Sequence, residues 1–332
     1  MLSKYYCVSM LCQLDLREMK LQQLRYLTEV VRRGLNVSEA ADALHTSQPG
    51  VSKQIRALED ELGIQVFARH GKRLVSITEP GKAVLAIAER ILSEAQNLRR
   101  AGEEFANDQL GTLTIAATHT QARYALPKAV AAFKRRYPKV KLVIHQGNPT
   151  QICEQVLTGE ADLCVATEAI AEYPELVSMP VYQWNRCVVV PPKHALLKAV
   201  PLTLEKLAQH PIVTYDFAFA NRSLVEKAFE NRGLHPNVVL TALDSDVIKT
   251  YVELGLGIGI LAKMAFDPKR DINLRAIDAS HLFESSTTRL GIKRNAYLRR
   301  YAYEFIELFA PHLARATVER AVRGEEGSRY EL

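Results

Sequence analysis

Two groups of side chains in this 332-residue chain have the types and spacing for binding chemistry. In the first, Ser47, Gln48, Pro49, Ser52, Lys53 and Arg56 crowd one short segment, and Arg69, Lys72 and Arg73 follow around His70-Gly71. Hydroxyl, amide and guanidinium donors in this mixture suit a nucleic acid. Glutamine and arginine match base edges, and outlying cations add affinity at phosphates with little sequence information. In the second group, Thr118-His119-Thr120-Gln121 follows the apolar run LTIAA and precedes a helical pattern. Thr150 and Gln151 at the next helix start, and Thr167 after ADLCVA, occupy equivalent positions. Neutral donors at a positive helix end hold a small oxyanion, a sulfate or a carboxylate, without a lysine, because backbone amides supply part of the field. Singly, each threonine fits a helix cap as well. Together, beside one cleft, they point to ligand contact.

A catalytic reading finds no support. There is no G-x-S-x-G, H-E-x-x-H or P-loop spacing, and the nine histidines are scattered, with only His119 beside the anion site and a structural role expected for it. Cys7, Cys12, Cys153, Cys164 and Cys187 form no C-x-x-C pair and no cluster at zinc spacing. Reduced thiols are therefore expected, with Cys164 buried in its apolar run. No enzyme activity, cofactor or metal is expected.

The elements that must position these residues are legible in outline. Leu24, Leu27, Val30 and Val31 recur at helical spacing up to Gly34; Asn36 or Ser38 can cap a second helix with Val37, Ala40, Ala41 and Leu44 inside. After the turn His45-Thr46, Ser47 caps a third helix whose inner face is Val51, Ile55, Leu58 and Leu62 and which Gly63 ends. IQVFAR and RLVSIT then make a hairpin, a wing with a basic tip. A long helix opens at Thr78-Glu79-Pro80-Gly81, and its Val84, Ala88, Ile91, Ala95, Leu98 and Phe105 fall on the four-and-three spacing of a coiled-coil seam. Such a seam implies a homodimer, or else packing on the chain's own C-terminal region.

From about Gln109 short β-rich runs alternate with amphipathic helices, the pattern of an α/β fold. Two successive α/β units and a return strand imply two subdomains joined by crossovers near residues 180 and 285, with a cleft between them. Trp184, the only tryptophan, either walls that cleft or packs in a core, and Asp244 and Asp246 read as helix caps. A net charge of +6 permits a polyanionic partner. No apolar run reaches the roughly 18 residues of a membrane span, and the opening MLSKYYCVSMLCQLDLRE carries acids where a signal peptide has its cleavage region. A cytoplasmic protein with no membrane partner is expected. Met19 begins a far more regular pattern, so residues 1–18 read as an arm or an over-extended start, and residues 315–332 as a solvated tail.

The segment LNVSEAADALHTSQPGVSKQIRALEDELGIQVFARHGKRLVSITEPG resembles the DNA-binding domain of LysR-type transcriptional regulators. THTQARYALP, GNPTQI, TEAI, Trp184-Asn185-Arg186 and DSDVIKTYVELGLGIGI resemble the CysB-like subgroup, so the likeness runs from Met19 to about residue 314. The resemblance implies an α/β architecture: an N-terminal winged helix-turn-helix (19–78), a linker and dimerisation helix (79–108), and a periplasmic-binding-protein-like (type 2) effector domain (109–314). Within that domain, subdomain I spans 109–180 and 286–314, and subdomain II spans 181–285. It also implies a homodimer or homotetramer on double-stranded promoter DNA, with RNA polymerase as partner. The implied function is control of sulfur-assimilation and cysteine-synthesis genes as a regulator with activator character, with N-acetylserine or O-acetylserine as inducer and sulfate or thiosulfate as competing anions. Thr118, Thr120, Gln121 and Thr167 are placed at the ligand by the same likeness. One departure stands out: Phe217-Ala218-Phe219-Ala220-Asn221-Arg222-Ser223 has Ala220 where the subgroup carries a threonine. Either Asn221 supplies the missing donor or the effector differs, an aromatic acid or an oxidative signal being the alternatives.

Overall fold

A computed structural model describes residues 19–71, 73–106, 110–216 and 224–325. Lys72, Ala220, Asn221, the arm 1–18 and residues 326–332 lie outside the described residues. The chain forms two compact units, Met1–Arg99 and Arg100–Leu332.

In the first unit, α1 (Leu21–Arg32), α2 (Val37–Ala43) and α3 (Gln48–Leu62) pack through Leu24, Leu27, Val30, Ala40, Ala41, Val51, Ile55 and Leu58. Local chemistry sets their ends. Asn36, not Ser38, caps α2, accepting from the amides of Ser38 and Glu39; Ser47 Oγ accepts from Gly50 N at 3.3 Å; Gly63 closes α3 in the left-handed region. β1 (Phe67–His70) and β2 (Arg73–Ile77) form the expected antiparallel wing.

The long helix α4 (Glu79–Ala106) divides what the sequence presents as one seam. Val84, Ala88 and Ile91 pack into the core of the first unit, whereas Leu98 and Phe105 are 77% and 90% exposed. Gly81 permits the close start of this helix, because a Cβ there would lie 2.2 Å from the Val66 carbonyl oxygen.

The second unit contains two five-stranded sheets. Its elements are β3 (Gly111–Ala117), α5 (Leu126–Arg136), β4 (Val140–Gln146), α6 (Pro149–Thr158), β5 (Leu163–Ala166) and β6 (Leu176–Trp184). There follow β7 (Arg186–Val190), α7 (Leu204–Ala208), β8 (Ile212–Tyr215), α8 (Leu224–Glu230), β9 (Val238–Ala242), α9 (Ser245–Glu253) and β10 (Ile258–Ala262). The chain ends with β11 (Arg275–Asp278), β12 (Ser286–Lys293), α10 (Arg300–Phe309) and α11 (Arg315–Arg323). One sheet has the order β4-β3-β5-β12-β6 and the other β11-β7-β10-β8-β9, each with an apolar core on both faces. The chain crosses between them at Asn185 and again between Asp278 and Ser286, which makes two lobes.

Two features depart from the expectations. β6 extends the first lobe's sheet to Trp184; Pro180 obscures it in the sequence, but β6 is an edge strand and Pro180 sits at the register shift opposite Arg289, where a missing amide is tolerated. The expected solvated tail is helical from Arg315 to Arg323. Val318, Ala321 and Val322 recur at helical spacing and are buried in the first lobe's core, so the dense charges of this segment lie on one face only.

The wing is tied to α3 by one buried carboxylate. Glu59, 6% exposed, accepts from the amides of Val66 (2.8 Å) and Phe67 (3.1 Å) and pairs with Arg69. Removing it leaves two amides and a guanidinium without their acceptor. Glu59→Ala is expected to destabilise the first unit by about 3 kcal/mol, seen as an earlier circular-dichroism transition in urea. An unchanged transition would refute the anchoring role.

Candidate nucleic-acid interface and anion cleft

The outer face of α3 keeps its polar side chains available. Lys53 and Arg56 are exposed and take no protein partner among the described residues, while Pro49 lies exposed in the first turn. Gln48 is exposed and donates weakly to Ser52 Oγ at 3.3 Å. Ser47 is spent on the cap. Arg69 is drawn inward by Glu59, against its assignment to the wing's contact surface, whereas His70 and Arg73 remain exposed. A fork already bonded to a carboxylate has less to offer a phosphate.

In the first lobe, Thr118 follows β3 and Thr167 follows β5; the two strands are parallel neighbours, and Thr118 N donates to Val165 O at 3.2 Å. Neither hydroxyl has a protein partner among the described residues. Gln121 is 1% exposed and opens a π-helical turn, Gln121–Ala125, of the kind that often marks functional sites. Its amide nitrogen donates to Thr288 Oγ1 at 3.0 Å and its oxygen accepts from Tyr182, so its orientation is held from β12 and β6. Burial raises the Tyr182 pKa and keeps it a donor. Thr150 and Gln151 are exposed, and Gln151 exchanges hydrogen bonds with Asn148 in a capping box (2.9 and 3.0 Å). No hydrogen bond joins these two to Thr118–Gln121.

The second lobe contributes residues that the sequence reading passed over. Ser245 Oγ lies 3.4 Å from Thr120 Oγ1 and 2.7 Å from the Tyr215 hydroxyl, which accepts from Ala262 N at 3.2 Å. Burial raises the Tyr215 pKa, so the phenol stays protonated. Either hydroxyl of each pair can donate, so the three form a continuous hydroxyl chain from Thr120 to Tyr215. The Asp-Ser-Asp run was the available signal, but its two acids drew the reading toward caps. Asp244 does cap α9, accepting from Val247 N at 2.8 Å. Asp246 instead reaches across to the first lobe, accepting from Tyr124 at 2.8 Å and pairing with Arg123.

Trp184 ends β6, next to the Asn185 crossing, with the Arg186 guanidinium 5.1 Å over its ring. Its indole nitrogen is buried without a hydrogen-bond partner, as is His119 Nδ1. Ligand atoms of His119, Asp244 and Asp246 come within 4.8 Å of one another. A cation there would compete with Arg123 and Lys249 for Asp246 and with the helix cap for Asp244. The set therefore suits internal pairing better than a metal. Cys153 and Cys164 are both buried; the hydrogen bond that the Cys164 thiol donates to Cys153, with burial, holds Cys164 well above its ordinary pKa. Burial pushes Cys187 to about 12. These three thiols lack the exposed thiolate that redox sensing needs.

Comparison with known proteins matches residues 21–82 to the bacterial regulatory helix-turn-helix protein, lysR family, and residues 106–314 to the LysR substrate binding domain. The chain is 56% identical to the HTH-type transcriptional regulator CysB of Burkholderia cenocepacia, covering 95% of this chain and 100% of that one. It is 54% identical to the regulator SsuR of the same organism (92% and 99% covered) and 46% identical to the regulator cbl of Escherichia coli (95% and 100% covered). Among solved structures, the cofactor-binding domain of the Cbl transcriptional regulator aligns with a TM-score of 0.63 at 43% identity, over 65% of this chain and 95% of that one. Full-length OxyR from Pseudomonas aeruginosa, at 21% identity and a TM-score of 0.60 over 88% and 94%, shares the fold. These families are regulators rather than enzymes. A winged helix with a polar recognition face, a two-lobed α/β domain, and these matches together establish that the chain belongs to the LysR family of transcriptional regulators, in its CysB-like branch.

Proposed function

We propose that this regulator controls sulfur-assimilation and cysteine-synthesis genes, binding sulfate-like anions and an acetylserine-type inducer in the cleft of its second unit. The observation that carries the reading is that Thr118, Thr120 and Thr167 all lie within three residues of the ends of the adjacent parallel strands β3 and β5. Among the described residues the Thr118 and Thr167 hydroxyls have no partner, and Thr120 pairs with Ser245. Gln121, locked by Thr288 and Tyr182, and the indole of Trp184 complete a wall of neutral donors, the set expected for a fully ionised small oxyanion. Thr150 and Gln151 supply the outer edge of the same site. The likeness to CysB, SsuR and Cbl supports the sulfur-related effector over an aromatic acid or an oxidative signal, and the buried thiols speak against the latter.

On DNA, Gln48, Ser52, Lys53 and Arg56 read the major groove, with Arg73, Lys72 and the start of α3 at the backbone. The exposed Leu98 and Phe105 of α4 serve self-association into a dimer and then a tetramer, which engages RNA polymerase in the cytoplasm, where the chromosome lies. Inducer and sulfate shift the lobes of the cleft by their different affinities for two lobe arrangements.

Arg56→Ala is expected to weaken specific operator binding about 10- to 100-fold, with an unchanged circular-dichroism spectrum, in gel shifts on a sulfur-assimilation promoter at fixed salt. Full operator affinity would sink the recognition-helix assignment. Thr118→Ala should leave basal DNA binding intact while weakening the response to N-acetylserine, O-acetylserine or sulfate about tenfold, the worth of roughly one hydrogen bond. Loss of DNA binding and response together would make Thr118 a structural cap.

A further inference from the structure

Beside the anion cleft, and separate from its hydroxyl donors, the two lobes meet in a charged cluster that the binding chemistry does not use. Arg123 and Tyr124 belong to the π-helical turn of the first lobe; Asp246 and Lys249 lie one helical turn apart on α9 of the second, and Asp271 follows β10. Asp246 pairs with Arg123, accepts from the Tyr124 hydroxyl at 2.8 Å and lies 3.2 Å from Lys249 Nζ. Lys249, itself buried, is held by Asp271 at 3.0 Å and by the Ala265 carbonyl at 3.0 Å, with its ammonium 5.6 Å from the centre of the Tyr124 ring. Asp271 in turn accepts from Asp267 N at 2.8 Å.

The second-lobe part of this cluster is the firmer one, because Asp271 and the Ala265 carbonyl hold the lysine, whose side chain is only 10% exposed, and from there its ammonium also donates across to the Tyr124 hydroxyl at 3.3 Å. The first-lobe part is looser: the side chains of Arg123 and Asp246 are 49% and 32% exposed. Burial works against the charge on Asp246, but the bonds from Tyr124 and Lys249 prevail and its carboxyl titrates below the usual range. Position gives the cluster its meaning. Asp246 follows Ser245, the partner of Thr120, and Arg123 lies two residues after Gln121. Whatever fixes Arg123 to Asp246 also fixes the distance between the two halves of the anion site.

We propose that Arg123, Tyr124, Asp246 and Lys249 form a reversible latch between the lobes, with Lys249 as its fixed post, which holds the cleft partly closed before any ligand arrives. The four act as positioning residues rather than ligand contacts, and the device works the same way whichever anion the cleft accepts. A half-exposed ion pair is weak and exchanges with water, so the lobes part and rejoin instead of locking. A ligand that binds the joined arrangement then finds its site preformed, and its apparent affinity scales with the fraction of chains in which the latch is closed.

The test needs no ligand. Hydrogen exchange of the full chain is followed by mass spectrometry in Arg123→Gln, Asp246→Asn, the double variant and Tyr124→Phe, together with acrylamide quenching of Trp184, the single tryptophan. As a control, Arg136→Gln breaks the Arg136–Glu304 pair, which lies within one lobe. Each latch variant should speed exchange in peptides spanning 118–126 and 244–250 several-fold and raise quenching, and the double variant should be no faster than the faster single, since Asp246→Asn already weakens the pair that Arg123→Gln removes. The control should leave these peptides unchanged. Additive effects, or cleft peptides that exchange at the rate of the unaltered chain, would overturn the latch; Tyr124→Phe, which changes no charge, separates that result from a folding defect.

Discussion

Everything in the second unit depends on satisfying polar groups at the junction of two lobes. Tyr215, Ser245 and Thr120 are buried or nearly so, and they come from β8, α9 and the turn after β3. Each would forfeit the full cost of desolvation if its neighbour withdrew. Their chain of hydroxyls, anchored by the Ala262 amide, therefore ties the lobes together where they meet. Gln121 is subject to the same constraint from the other side, because Thr288 and Tyr182 accept and donate on strands that carry the chain back and forth between the lobes. The hydroxyls and the amide at this junction are neutral, and the ligand atoms of Asp244 and Asp246 come within 4.8 Å of that of His119 beside them.

The same principle operates in the first unit with a charged group. Glu59 lies on the inner side of α3 and uses both oxygens on the wing, so that the recognition helix and the hairpin form one rigid body. That leaves Lys53, Arg56 and Arg73 outside the internal network, free to meet a polyanion. α4 begins against this body at Gly81 and leaves it with Leu98 and Phe105 uncovered.

Local signals carried most of the architecture. Asn36, Ser47 and Gly63 mark helix ends because caps depend only on neighbours in sequence, and the alternation of β-rich runs with amphipathic helices reveals the α/β unit before any contact is known. What stayed hidden depends on distant partners. Arg69 looks like a free wing cation until Glu59, ten residues earlier in the chain, is seen to hold it. Asp246 looks like a second cap beside Asp244 until Arg123 and Tyr124 arrive from the other lobe. Pro180 hides β6 because its tolerance depends on edge position, and the charges of α11 hide an apolar face that is read only when Val318, Ala321 and Val322 find the first lobe's core. Thr118, Thr120 and Gln121 were legible as polar groups at a strand end; Ser245 and Tyr215, their partners, were not.

The central claim is that the cleft and the recognition helix are energetically linked, and linkage is reciprocal: if an effector changes operator affinity by some factor, operator DNA changes effector affinity by the same factor. The most direct measurement is a pair of titrations at one salt concentration, operator DNA into the full chain with and without saturating N-acetylserine, O-acetylserine or sulfate, and each of these small molecules into free and operator-bound chain. The account predicts that at least one of them gives equal, non-unit factors in the two titrations. A small molecule that occupies the cleft, as reported by Trp184 fluorescence and lost in Thr118→Ala, yet leaves operator affinity unchanged would contradict it.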